Sequence, residues 1–266
     1  MKQSNIYESI KLSENTSLKI DDNLVVEAPL QININSESYT VVMRTPGDDN
    51  ELIRGLLYAE DIYKSSDKLE IIVIEINTDA SAILNVIIPI DKLRKGYLNK
   101  RTLLSVSSCG ICGKKELKDL KTTDKPLINK YDKSINVTFD MFLKMSDLQH
   151  LFKKTGGSHA CALFNNKKEI LTIKEDIGRH NAVDKCIGDL INKKQLKEVS
   201  YMLVSGRVSY EIVSKAFFAK IPIIIAVSAC SSLAVDFAKE FGICLIGFSR
   251  NNKMTVYTNP QYIDYE

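Results

Sequence analysis

From residue 201 the sequence alternates short aliphatic runs with helix-length amphipathic segments: strand 201–204, helix 209–219, strand 222–227, helix 232–241 and strand 243–247. Such a βαβαβ series buries its apolar surface by aligning the strands and covering them with the helices, which predicts a largely parallel sheet. Upstream, a helix over 139–153, strands over 159–164 and 169–173 and a helix over 180–191 extend the rhythm, and a last strand follows at 254–258. This portion reads as α/β.

The preceding portion reads differently. Residues 16–44 are strand-like, and the runs 30–34 and 39–43 flank Asn35-Ser36-Glu37-Ser38 as a hairpin. Arg44-Thr45-Pro46-Gly47-Asp48-Asp49 is a turn, and Asp48 or Asp49 is placed to cap a helix carrying Leu52, Ile53, Leu56 and Leu57. Strands at 69–76 and 82–88 follow, so this part is mostly β with one short helix. Between 91 and 133 periodicity fades, and twelve Lys or Arg stand against five Asp or Glu, a local excess of +7. The expected organisation is a β-rich part over 1–108, a loop and basic linker over 109–137, and an α/β domain over 138–266. No internal repeat is visible.

At 266 residues, 44% hydrophobic and 26% charged, with 12 Gly and 6 Pro, the chain is neither collagen-like nor disordered. The net charge of +3 is too balanced to indicate a nucleic-acid partner. The first residues lack the apolar core of a signal peptide. The most apolar stretch, 221–230, contains Pro222 and Ser228 and falls short of the roughly 20 residues that span a bilayer. The expectation is a cytoplasmic protein with no membrane partner, whose six cysteines are reduced thiols.

Ser107-Ser108-Cys109-Gly110-Ile111-Cys112-Gly113 sets two cysteines at CxxC spacing within the basic segment. Glycines leave the thiols uncovered, and Lys100, Arg101, Lys114 and Lys115 favour thiolate. A thiol of pKa about 8.5 is only a few per cent ionised at neutral pH, so lowering it to about 7 raises the reactive fraction roughly tenfold. The other reading of CxxC is half of a zinc site, for which His159-Ala160-Cys161 is the one candidate second pair. Cys161, Cys186, Cys230 and Cys244 sit in apolar segments and read as small buried hydrophobes.

Further polar clusters fall at element boundaries, where an open α/β sheet binds ligands. They are Thr155-Gly156-Gly157-Ser158-His159, the run from Glu175 through Asp176, Gly178, Arg179, His180 and Asp184 to Lys185, and Ser205-Gly206-Arg207-Val208-Ser209. In the second, either His180 and Asp184 share a functional helix face, or Asp176 and Asp184 cap and pair the helix with Arg179 and Lys185. The third is a phosphate cradle or a plain turn. It is neither a Walker A loop nor GxGxxG. Ser228-Ala229-Cys230-Ser231-Ser232 offers three hydroxyls at a helix start, one of them as N-cap. Phe248-Ser249-Arg250-Asn251-Asn252-Lys253 follows the last strand of the series, where Arg250, Lys253 and two asparagines either read a large polar, phosphorylated ligand or form a solvated turn.

Arg44-Thr45-Pro46-Gly47 with Asp49-Asn50-Glu51-Leu52, the Cys109 to Gly113 loop, Gly156-Gly157-x-His159, the Glu175 to Lys185 run, Ser205-Gly206-Arg207 and Phe248-x-Arg250 together resemble the FdhD/NarQ family of formate dehydrogenase accessory sulfurtransferases. The resemblance covers roughly residues 25–258. It implies a three-layer α/β, cytidine-deaminase-like C-terminal domain, a homodimer, and a cytoplasmic sulfur carrier. It also implies that sulfur passes from the persulfide of a cysteine desulfurase to the bis-guanine-dinucleotide molybdenum (or tungsten) cofactor, Mo-bis-MGD, before insertion into apo-formate dehydrogenase. That cofactor is the client, and no permanently bound metal is implied. By position, Cys109 holds the persulfide and Cys112 assists or shares it. Phe248, Ser249, Arg250, Asn251, Asn252 and Lys253 contact the cofactor, with Arg207, Arg179 and His180 beside them.

Asp61 departs from the pattern, standing where a glycine is usual, as do Cys161, Cys186 and Cys230. Two competing readings use the CxxC as a metal site: a zinc-stabilised scaffold, and a deaminase-like zinc hydrolase. The hydrolase reading fails on spacing, since no histidine is followed by x-Glu and serine, not proline, precedes Cys109.

Overall fold

A computed structural model describes residues 2–98, 125–127, 140–250 and 253–263. Two antiparallel hairpins come first, β1 (Ser4–Ser13) with β2 (Thr16–Val25) and β3 (Ala28–Ile34) with β4 (Glu37–Arg44). Helix α1 (Asp49–Ala59), β5 (Glu70–Ile76) and β6 (Ala82–Ile87) follow. The second hairpin joins these strands in a four-stranded sheet ordered β4-β3-β6-β5. The sequence reading placed no strand before residue 16. β1 forms nonetheless, with Ile6, Ile10 and Leu12 exposed, because β2 pairs with it residue for residue from Ser4↔Val25 to Ser13↔Thr16.

The remaining elements are α2 (Asp140–Leu148), α3 (His150–Thr155), β7 (His159–Asn165), β8 (Ile170–Asp176), α4 (Arg179–Asn192) and β9 (Val199–Val204). After them come α5 (Tyr210–Phe218), β10 (Ile223–Ala226), α6 (Ser232–Glu240), β11 (Cys244–Arg250) and β12 (Lys253–Val256). The six strands form one sheet ordered β12-β11-β10-β9-β7-β8. The expectation of a largely parallel sheet is corrected: β9, β10 and β11 are parallel, but β7 is antiparallel to both neighbours and β12 to β11. Hairpin connections in place of helical crossovers at β7–β8 and β11–β12 cause the reversals.

Alternation along β9 divides the core. Met202 and Val204 face α4, α5 and α6 through residues such as Val183, Ile187, Ile212, Phe217 and Ala238. Tyr201 and Leu203 point to the other face, covered by Met141 and Met145 of α2. The C-terminal unit is therefore a three-layer α/β/α arrangement. In the N-terminal unit Leu52, Ile53, Leu56 and Leu57 of α1 bury against Leu30, Ile32, Leu84 and Val86 of the smaller sheet.

The opposite side of α1 lies directly on α4. A Cβ on Gly55 would stand 1.9 Å from the Asp184 carbonyl oxygen, and one on Gly188 would stand 1.9 Å from that of Glu51. The helices meet backbone to backbone, and this contact joins the two units.

Three local expectations change. Asp48 has φ 54°, and neither it nor Asp49 caps α1 with its side chain. Capping needs an extended N-cap residue, and both carboxylates are engaged elsewhere: Asp48 pairs with Lys174 at 2.6 Å and Asp49 with Arg44 at 2.9 Å. The helix over 139–153 breaks at Gln149 into α2 and α3, and Phe139 lies outside the described residues. The amides of Leu151 and Phe152 at the new helix start donate at 2.8 and 2.7 Å to the Glu175 carboxylate, so a side chain from β8 caps α3. Asp61 takes φ 54°, a conformation suited to glycine that Asp tolerates, and its Oδ1 accepts from Arg94 at 2.8 Å. No helix among the described residues is long and apolar enough to cross a membrane.

Candidate functional site

Because β7 is antiparallel to β8 and to β9, strands β8, β9, β10 and β11 all end at one edge of the sheet, where β7 begins. That edge gathers His159, the Gly178-Arg179-His180 turn, Ser205-Gly206-Arg207, the 228–231 turn and Phe248-Ser249-Arg250. The polar clusters singled out in the sequence thus converge, although they are spread over some ninety positions.

Gly206 permits the close approach: a Cβ there would meet His159 Nδ1 at 3.2 Å and Arg179 Cβ at 3.4 Å. Burial, followed by the positive charge of Arg179, holds the His159 pKa below the usual histidine value. His159 is thus a neutral imidazole at pH 7 in a cationic setting. Ser205 continues the sheet, its amide donating to the Ala160 carbonyl at 3.0 Å and its Oγ accepting from the Ala160 amide at 2.9 Å. Val208 links the next turn, donating to the Ala229 carbonyl and accepting from the Ser231 amide. Ser231 is the N-cap of α6, accepting from the Ala234 amide at 3.2 Å.

Three of the six buried side-chain atoms without a hydrogen-bond partner among the described residues are at this edge: Arg179 Nε, His180 Nδ1 and Ser249 Oγ. Buried polar atoms are normally satisfied, so these three are left for an ordered water or a bound molecule. The other end of the His180 ring is engaged, with Nε2 2.8 Å from Glu211 Oε2 and 3.0 Å from Ser209 Oγ.

Phe248 departs from regular strand geometry. It sits at a register shift between β11 and β12 with φ 51°, its ring 41% exposed. A bulky residue in the left-handed region is strained, and a bulge that aims such a side chain outward is a recurrent feature of ligand sites. Arg250 and Lys253 are exposed and pair across the hairpin, and Arg207 is exposed on its turn. Asn251 and Asn252 lie outside the described residues, as do Cys109 and Cys112.

The Glu175 to Lys185 run divides its labour. Asp176 accepts from Lys185 Nζ at 2.8 Å, Asn181 Nδ2 at 2.9 Å and the amides of Gly178 and Thr45 at 2.8 and 3.1 Å. Lys185 also donates to the Thr45 carbonyl at 2.9 Å and Asn181 to that of Met43 at 2.8 Å, so this wholly buried hub holds the 43–45 turn against α4. The expected pairing of Asp184 with Arg179 or Lys185 is corrected. Asp184 pairs instead with Lys215 of α5 at 2.7 Å, since neighbours such as 184 and 185 point to different helix faces. Burial pushes the Asp184 carboxyl up, against the pull of Lys215.

Glu211 and Lys215 were missed in the sequence. A signal was present: their spacing of four matches that of His180 and Asp184 with complementary charge, which suits two facing helices. The remaining cysteines behave as packing groups. Cys186 Sγ donates to the Cys161 carbonyl at 3.1 Å, and burial raises the thiol pKa of Cys161 far up, of Cys230 to about 11 and of Cys244 to about 12. Among the described residues no three His, Cys, Asp or Glu side chains are grouped to hold a metal ion.

A three-layer α/β protein that gathers basic side chains and unpartnered polar atoms where its strands end has the arrangement in which open α/β sheets bind ligands. The FdhD/NarQ family model matches residues 25–264, and the chain belongs to that family. It is 41% identical to the sulfur carrier protein FdhD of Sulfolobus acidocaldarius over 96% of each chain. To that of Streptomyces avermitilis it is 38% identical, over 91% of this chain and 89% of the relative. A crystal structure from Desulfotalea psychrophila, described as a formate dehydrogenase accessory protein, shares the fold with a TM-score of 0.75 at 22% identity, covering 99% of this chain and all of that one.

Proposed function

We propose that this protein is a sulfur carrier that accepts persulfide sulfur from a cysteine desulfurase and delivers it to Mo-bis-MGD, or its tungsten counterpart, for formate dehydrogenase. The convergence of Arg179, His180, Arg207 and the Phe248 bulge at one sheet edge, on a chain whose curated relatives are sulfur carriers, carries this reading. The Cys109 thiolate attacks the terminal sulfur of the donor persulfide. The donor's S–S bond breaks, its cysteine leaves as thiolate, and Cys109 keeps the transferred sulfur as a persulfide. Cys112, three residues on, shares or protects that sulfur. This edge of the sheet supplies the other half of the task, with guanidinium groups for the pyrophosphates of the client cofactor and Phe248 for a stacking face.

In cells lacking their own family member, the protein is expected to restore formate dehydrogenase activity. Cys109→Ala abolishes the rescue, and Arg179→Ala with Arg207→Ala lowers it about tenfold or more, the loss of at least one charge-assisted hydrogen bond. Full rescue by Cys109→Ala overturns the proposal.

A further inference from the structure

At the C-terminal end of α4 lies a cleft of about 770 Å³, walled by the start of α1, the segment entering β5 and the residues that close α4. Since α4 begins at the strand-end site and runs for 14 residues, about 20 Å of helix separates the two places. The ionisable residues lining the cleft are Arg54, Lys68 and Lys194 with Asp67 and Glu70, and Asn50 joins them from the first turn of α1.

Arg54 is the buried member. It shares a face of α1 with Asn50, four residues back, and is only 1% exposed. Its guanidinium packs 5.1 Å from the centre of the Tyr63 ring, and Nη2 donates to the Ser65 carbonyl. Nε and Nη1, both buried, have no hydrogen-bond partner among the described residues. Asp67 is no counterion for them, being 62% exposed at its side chain and paired with Lys92 at 2.8 Å. Burial pulls the Arg54 pKa down, the direction expected of a charge withdrawn from water, yet arginine remains protonated near neutral pH.

The polarity of the missing partner follows from this chemistry. A guanidinium offers donors only, so whatever meets Nε or Nη1 accepts. A water satisfies an N–H and leaves the charge uncompensated, whereas an anion does both. Lys68 and Lys194, both exposed, and the N-terminus of α1, which no side chain caps, add positive potential on the same side.

We propose that this cleft is an anion site, separate from the strand-end edge, in which Arg54 binds an oxygen of a phosphate or carboxylate group on a small molecule, with Lys68 and Lys194 pairing with it from the solvent side. A volume of about 770 Å³ falls within the roughly 300–1,000 Å³ of small-molecule pockets, so the oxyanion is the head of a larger ligand. The site does not depend on sulfur transfer.

The test is titration of the full chain with inorganic phosphate and, separately, with succinate, at constant ionic strength in a buffer free of both groups. The readouts are the side-chain Nε–H resonance of Arg54 and thermal unfolding. At least one anion is expected to move that resonance saturably in the millimolar range and to raise the melting temperature. Whichever does so names the head group, and a response to both makes it any oxyanion. Lys68→Ala with Lys194→Ala, two exposed positions that leave the fold intact, weakens binding about tenfold. Arg54→Met keeps the bulk and abolishes the rise in melting temperature, and with the unpaired charge gone it unfolds no earlier than wild type in the anion-free buffer. Arg179→Ala with Arg207→Ala, at the other end of α4, leaves the Arg54 shift unchanged. A folded wild type whose Arg54 resonance neither anion moves, or a lysine double variant that binds as tightly as wild type, overturns the site and leaves Arg54 a packing residue on Tyr63.

Discussion

Gly188→Ala is expected to destabilise the protein by about 3 kcal/mol or more, among the largest effects of any single methyl group, because nothing near it can yield cheaply. The added carbon would stand 1.9 Å from the carbonyl oxygen of Glu51, an atom of the α1 backbone. Relief requires moving a whole helix whose other side is locked to the four-stranded sheet by Leu52, Ile53, Leu56 and Leu57. Gly55→Ala meets the same obstacle from the other helix. Gly156→Ala is the control: its φ of +66° strains alanine, yet nothing lies within 4 Å, so its cost is about 1–2 kcal/mol. Urea unfolding of the three variants decides the matter. A Gly188→Ala protein no less stable than Gly156→Ala would contradict the close helix crossing.

Asp176→Asn is expected to cost about 3–5 kcal/mol although it preserves shape. The side chains of both Asp176 and Lys185 have no exposure, and the substitution leaves an ammonium deep in the protein with only amide and carbonyl oxygens around it. The damage extends to the 43–45 turn, whose Thr45 amide donates to Asp176 at 3.1 Å, so early proteolytic cleavage near Thr45 accompanies the loss. Adding Lys185→Met, which removes the stranded charge, recovers part of the stability. Thermal denaturation of the single and double variants checks this. A single variant at wild-type stability rules out the buried hub.

Elements with strong periodicity were legible from the sequence. The strands and helices from 159 to 247 fall where the patterning puts them, because each buries one face or both in the apolar layers on the two sides of the sheet. What pattern could not supply was direction. Nothing in β7 marks it as antiparallel to β9, since buried strands of either orientation carry the same aliphatic residues. Gln149 ends a helix whose apolar spacing runs on, because the Glu175 carboxylate, distant in sequence, caps a new start.

At the site, the residue types left open which side chains build the scaffold. Asp176, Asn181 and Lys185 read as neighbours of Arg179 and His180 in one motif, yet three-dimensional pairing assigns the first three to the scaffold and leaves the last two with unsatisfied atoms. The left-handed backbone of Phe248, with φ 51°, was not legible, because composition does not encode the path of the chain.

The central claim is that sulfur resides on Cys109, and intact-protein and peptide mass spectrometry tests it most directly after incubation with an active cysteine desulfurase and cysteine. One added sulfur is expected, mapping to the peptide with Cys109 and Cys112, retained in Cys112→Ala at a reduced level and absent from Cys109→Ala. A reduced, metal-free, folded protein that gains no sulfur from a compatible desulfurase would contradict it.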